Sequence, residues 1–188
     1  MTARWVVNIS EERDLKVTWK PISLLVKNQP EPGSDYFVPV EKTHKMLRVM
    51  ESVRAAEGDG PIQALYFELG SRVHHDGDLD FDIADALESV GLDRSHAEAL
   101  DDESFDKAIQ ASMDEGLGLT GTDVGTPIIA KDNSAGKRVA YFGPVITRAP
   151  EGDDALKLWD GLSALMDVEG FWELKRTRTE GPEFGERP

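Results

Sequence analysis

Leu15, Val17 and Trp19 alternate with Lys16, Thr18 and Lys20. That period of two predicts a strand with one buried face. Ahead of it, Trp5, Val6 and Ile9 lie at helical spacing, so the chain opens inside a helix with no Ser or Asp cap and no lead-in loop. Pro21 ends or edges the strand, and Asn28-Gln29-Pro30-Glu31-Pro32-Gly33-Ser34-Asp35 is a loop by its turn chemistry. A helical block follows. Met46, Val49, Met50 and Val53 form one stripe, closed near Gly58-Asp59-Gly60. Pro61 opens the next helix, where its missing N–H costs nothing, and Ile62, Leu65, Tyr66, Leu69 and Val73 make a single apolar face. Short helices are predicted from Ile83 to Val90, closed by Gly91, and from Asp93 to Leu100. The last of the block carries Phe105, Ala108, Ile109 and Met113 on one side, with Asp101 or Asp102 as its cap. Gly116, Gly118 and Gly121 are expected to break the chain there.

Beyond the glycines, Ile128-Ile129-Ala130, a polar turn at Asp132-Asn133-Ser134-Ala135-Gly136, and Val139-Ala140-Tyr141-Phe142 give a β-hairpin signal. Gly143-Pro144 closes it. Leu158, Trp159, Leu162, Leu165 and Met166 predict a final amphipathic helix. The tail after it is basic at Lys175, Arg176 and Arg178, then rich in Gly and Pro and expected to fray. No internal repeat is present.

Composition narrows the function classes. The chain has 188 residues, 39% hydrophobic and 30% charged, which suits a globular domain able to build a core without staples. A formal net charge of −15 argues against nucleic acid or an anionic membrane as partner, since both demand cationic patches. No apolar run approaches the ~20 residues of a membrane span, and the first residues do not read as a signal peptide. There is no cysteine, so disulfides and thiolate metal sites are excluded.

The loop Asp123-Val124-Gly125-Thr126-Pro127 stands against that absence. Gly-Thr-Pro before a strand is how thioredoxin-like proteins present a cis-proline beside a cysteine motif, and X-Pro bonds are cis in only about 5–6% of cases. With Leu65-Tyr66, Gly70-Ser71-Arg72-Val73-His74, Tyr141-Phe142-Gly143-Pro144-Val145, Lys157-Leu158-Trp159 and the run from Phe171 to Thr179, the sequence resembles the DsbA-like thioredoxin-fold family. More narrowly, it resembles the actinobacterial mycothiol-dependent nitroreductase branch. Thr2, Arg4 and Trp5 look like the helix just after that branch's Cys-x-x-Cys motif.

The resemblance implies a thioredoxin-like α/β fold lacking its first strand, with an all-helical insertion. Residues 1–40 would be part of the core, 41–117 the insertion, 118–170 the rest of the core, and 171–188 a tail. It implies a cytoplasmic oxidoreductase, either a thiol-disulfide oxidoreductase or a mycothiol-dependent reductase. Mycothiol would be the cosubstrate, a disulfide or nitro-aromatic compound the substrate, and no metal would be involved; a homodimer is compatible with it. The first strand and the cysteine motif of the family pattern would lie ahead of Met1, so the chain is expected to begin at an internal methionine and to have no thiol chemistry of its own. Two other classes fit the same scaffold: a thiol-dependent isomerase like 2-hydroxychromene-2-carboxylate isomerase, and a non-catalytic binding module.

Site candidates follow from the same resemblance. Thr126 would offer its backbone to the ligand, Pro127 would shape the wall, and Gly125 would let the backbone come close. His74 would face the cleft, while the adjacent His75 reads as a helix C-terminal cation favoured by the dipole. Asn28 and Tyr36 can hydrogen-bond a polar thiol or nitro group, against turn formation as the plain reading of Asn28. Arg48 reads as a surface ion pair, and Trp159 as core. Asp76, Asp78, Asp80 and Asp82 alternate, but Phe81 and Leu87 stand where an EF-hand loop needs Gly and Glu, so capping and solvated charge explain them.

Overall fold

A computed structural model describes residues 1–187. Among them the chain is mostly helical, with one two-stranded antiparallel sheet. The helices are α1 (Thr2–Asn8), α2 (Leu24–Asn28), α3 (Phe37–Glu57), α4 (Ile62–His74), α5 (Ile83–Ser89), α6 (Asp106–Thr120) and α7 (Gly152–Met166), and the strands are β1 (Ile128–Asp132) and β2 (Arg138–Phe142). No helix among the described residues is long and apolar enough to cross a membrane. The described residues divide into two compact units, one of residues 1–17 and 115–185, the other of residues 18–114 and 186–187.

The first unit is built on a tryptophan pair. Trp5 and Ile9 of the α1 turn are buried against Ala155 and Trp159 of α7, with Leu15, Ile129, Ile146 and Leu162 packed around them. The rings of Trp5 and Trp159 lie 6.0 Å apart and tilted, and the Trp5 indole N–H donates to the Ala155 carbonyl at 2.9 Å. Burying two indoles this way supplies large apolar area while the polar edge keeps a partner. The hairpin register pairs Ile128 with Phe142 and Asp132 with Arg138. Its turn is fixed by Asn133, whose side-chain oxygen accepts from the N–H groups of Ala135 and Lys137, and by Gly136 at φ +74°. The tail is tied down at points: the Tyr141 hydroxyl donates to the Phe171 carbonyl at 2.6 Å, and Arg4 donates to the Phe184 carbonyl. The frayed tail of the sequence reading is thus irregular but anchored.

The second unit centres on the predicted stripes. Met46, Val49, Met50 and Val53 of α3 pack with Ile62, Leu65 and Leu69 of α4, with Ile83, Ala86 and Leu87 of α5, and with Leu92 and Ala99. Asp82 caps α5 through the Ala84 N–H. Residues 94–101 wind as a 3₁₀ helix capped by Asp93, where an ordinary helix was expected; a second short 3₁₀ turn, capped by Asp102, leads into α6.

Three further expectations change. Residues 15–20 alternate half-buried and exposed as the period of two requires, yet they pair with no strand among the described residues. Other groups take some of their backbone atoms: the Arg54 side chain donates to the Trp19 carbonyl at 2.7 Å, and the Leu15 N–H donates to Ser10. Gly116 and Gly118 do not break α6, which continues to Thr120. A helical glycine costs only about 1 kcal/mol, which the rest of the helix offsets; a Cβ at Gly116 would meet the Ile128 side chain at 3.7 Å, an ordinary contact. Finally, α2 occupies a stretch for which no element was predicted. Ser23 opens it as an N-cap, accepting from the Val26 N–H at 3.2 Å, and Gln29 closes it in the left-handed conformation.

Candidate functional site

In the first unit the Gly125-Thr126-Pro127 loop runs straight into β1. The Thr126–Pro127 peptide is cis, as is Gly143–Pro144. The Gly143 N–H donates to the Pro127 carbonyl at 2.8 Å, tying the end of β2 to the start of β1. A Cβ on Gly125 would lie 3.3 and 3.5 Å from the edge of the Phe142 ring, so glycine is what lets this backbone pass so close. Thr126 is exposed and lies outside the ladder, which begins at Ile128. A broad groove of about 2470 Å³ lies along the same unit, lined by Val124, Phe142, Ile146, Phe171, Trp172 and Arg176 among others. It reaches the loop at Asp123 and Val124 and does not take in Gly125, Thr126 or Pro127.

The other site candidates belong to the second unit. Asn28 is the last residue of α2, and Tyr36 caps α3. The Asn28 amide nitrogen donates to the Tyr36 hydroxyl at 2.9 Å. Both are exposed, and the bond uses one of Asn28's four hydrogen-bonding sites, leaving an N–H, a carbonyl and the Tyr36 proton available. His74 ends α4, its imidazole held below the usual histidine range first by partial desolvation and also by the neighbouring His75. His75 is the C-cap of α4, its N–H donating to the Ser71 carbonyl at 2.8 Å.

Behind the Asn28–Tyr36 pair lies a buried polar chain that sequence reading missed. Ser23 and His44 are 1% and 5% exposed, with Ser23 Oγ 2.9 Å from His44 Nδ1. The other imidazole nitrogen lies 3.2 Å from Asp106 Oδ1. Asp106 also receives a two-pronged hydrogen bond from Arg48, at 2.6 and 2.7 Å, while the third guanidinium nitrogen reaches the Leu100 carbonyl. Arg48 is therefore a buried fork and not the surface ion pair expected. Burial pushes the His44 pKa down, opposed by the Asp106 charge and reinforced by Arg48. The Arg48 hydrogen bonds hold the Asp106 carboxyl below its ordinary range. A signal was present: His44, Arg48 and Glu51 fall at i, i+4 and i+7, all buried on the inner face of α3, and Ser23 precedes Leu24-Leu25-Val26 as a cap would.

Residues 1–176 match the profile of the Rv2466c-like proteins, described as mycothiol-dependent nitroreductase Rv2466c. The chain belongs to this family. The match covers the Thr126–Pro127 loop, the Asn28–Tyr36 pair and His74 alike. Members of a mycothiol-dependent nitroreductase family are oxidoreductases that draw on a small thiol. Among the described residues, no three or more His, Cys, Asp or Glu side chains gather as metal ligands.

Proposed function

We propose that this Rv2466c-like chain binds mycothiol and a nitro-aromatic or disulfide substrate on a thioredoxin-like, DsbA-like core. Residues 1–40 and 118–170 form that core and residues 41–117 its helical insertion. The reading is supported most by the family match over residues 1–176. The order of helix, cis-Pro127 loop, hairpin and helix is compatible with it.

Each unit by itself offers groups that suit such a ligand. Mycothiol is a polar, hydroxyl-rich thiol, and it supplies the electrons: two thiols reduce a nitro group to a nitroso group, giving one disulfide and one water. Thr126 contributes an exposed backbone edge beside Pro127. Asn28 can donate and accept at once, Tyr36 donates its hydroxyl proton, and neutral His74 can accept a proton or a hydrogen bond. Because the 188 residues hold no cysteine, they offer no thiolate to form the mixed disulfide that would carry this exchange. We infer that they bind the ligands and do not accelerate their reaction.

The test is intact mass analysis after incubation with oxidised mycothiol, alongside a nitro-aromatic turnover assay with reduced mycothiol. An unmodified mass and a rate equal to the protein-free control are expected. Turnover well above that control would overturn the claim that the chain lacks thiol chemistry.

A further inference from the structure

We propose that Ser23, His44, Asp106 and Arg48 are positioning residues for the Asn28–Tyr36 pair, and that protonation of His44 loosens that pair as pH falls. The proposal rests on the assignment of Asn28 and Tyr36 to the ligand site.

The α2 helix is short. Five residues make little more than one helical turn, too few to hold their own shape in water. Its geometry must therefore be set at its ends. At the first end Ser23 Oγ accepts from the Val26 N–H; at the other, Gln29 sits at φ +44°, a conformation that costs a non-glycine residue of order 1 kcal/mol and persists only where its surroundings impose it. Asn28 lies between these constraints, bonded to Tyr36. Tyr36 opens α3 and His44 lies two turns along it, so α2 and the start of α3 are closed into a ring. One tie is Ser23–His44, the other Asn28–Tyr36.

The proton inventory makes the first tie sensitive to acid. Neutral His44 with its proton on Nε2 donates to Asp106 and accepts at Nδ1 from the Ser23 hydroxyl. Ser23 then gives one hydrogen bond and receives one from Val26, and every polar atom in the chain is paired. A second proton, on Nδ1, must point at Ser23 Oγ. The oxygen then receives twice, and the Ser23 hydrogen loses its acceptor in a site only 1% exposed, a loss that buried groups tolerate poorly. The charged groups facing His44 are Asp106 from α6 and Arg48 from its own helix. Arg48 in turn feels Glu103 and Asp101 of the 3₁₀ segments, and Lys45 is paired with Asp101 at 2.6 Å. These keep Arg48 and Asp106 charged across neutral pH, leaving His44 as the member of the chain that changes state.

The experiment is a pH titration by NMR of the intact chain from about pH 8 to 5, following the His44 ring and the Asn28 side-chain amide, with mycothiol affinity measured at each end. In the native protein the Asn28 amide should shift with the same midpoint as His44, and mycothiol should bind several-fold more weakly at the acid end. His44→Asn keeps an acceptor for Ser23 but cannot titrate, so its Asn28 signal and the His44-linked part of its affinity change should be flat. His74 titrates in both proteins and cancels from the comparison. An Asn28 signal that stays still while His44 titrates would overturn the proposal, as would an unchanged pH profile in His44→Asn. If that variant does not fold, the coincidence of the two midpoints in the native protein decides. If mycothiol binds at no pH, the functional assignment fails, and the Asn28 amide still decides the coupling by itself.

Discussion

Replacing Arg48 by methionine isolates the buried fork at nearly constant length. The substitution removes two charge-assisted bonds to Asp106, at 2.6 and 2.7 Å, and one to the Leu100 carbonyl at 3.2 Å. Breaking a fully buried ion pair typically costs 3–5 kcal/mol. Asp106 is 39% exposed on its side chain, so water recovers part of its solvation and the lower portion of that range applies; the orphaned Leu100 carbonyl adds about 1 kcal/mol. A loss of roughly 2–4 kcal/mol follows, or about 4–16 °C in Tm for a chain of this size. Urea unfolding, with hydrogen exchange of α3 amides as the local readout, measures it. The variant carries a second signature. Arg48 lowers the His44 pKa and Asp106 raises it, so Arg48→Met should move the His44 titration upward. A cost below about 1 kcal/mol, the value of an exposed pair, or a downward His44 shift would show that the Arg48 fork is not a buried, stabilising tie.

Other outcomes follow from single features. Leu65 is fully buried at the α3–α4 contact, and Leu65→Ala should cost about 2–5 kcal/mol in denaturant unfolding. Gly125→Val should displace the Phe142 ring and cost about 1–3 kcal/mol; wild-type stability would show that the loop has room to spare. His44 has a folded pKa below its ordinary value of about 6.5, so the unfolded chain binds its proton first. Its contribution to stability is therefore complete above that value and is lost as pH falls toward the folded pKa, a slope that His44→Asn should remove. Asp106, also depressed, loses its share only at lower pH, below about 3.9. Tyr36→Phe deletes the acceptor of the Asn28 bond and should weaken mycothiol binding by about 2–10-fold, the worth of one neutral hydrogen bond, read by calorimetry.

The helical stripes were legible because apolar spacing states which face is buried, and the core of the second unit is made of those residues. The hairpin was legible from two β-rich runs around an Asn-containing turn. The strand at residues 15–20 was half legible: the alternation is present in the burial, but a strand also needs a partner, and pairing is not a property of the segment. The reach of α6 past Gly116 was hidden because propensity counts a glycine as a cost, one small enough for the rest of the helix and its packing to offset. Of the site candidates, Asn28 and Tyr36 are directly bonded. The polar chain behind them was legible only in part: His44 and Arg48 share the inner face of α3, but Ser23 and Asp106 lie far from them in sequence and read locally as a cap and a surface charge.

Titration of mycothiol into the purified 188-residue chain at pH 7.5, followed by calorimetry and by amide chemical shifts, shows whether the chain holds this thiol. Saturable binding is expected with a dissociation constant at or below about 1 mM, and with a perturbed amide at Thr126 or at the Asn28 side chain. No saturable binding, or binding that leaves both amides unmoved, would contradict the proposed function.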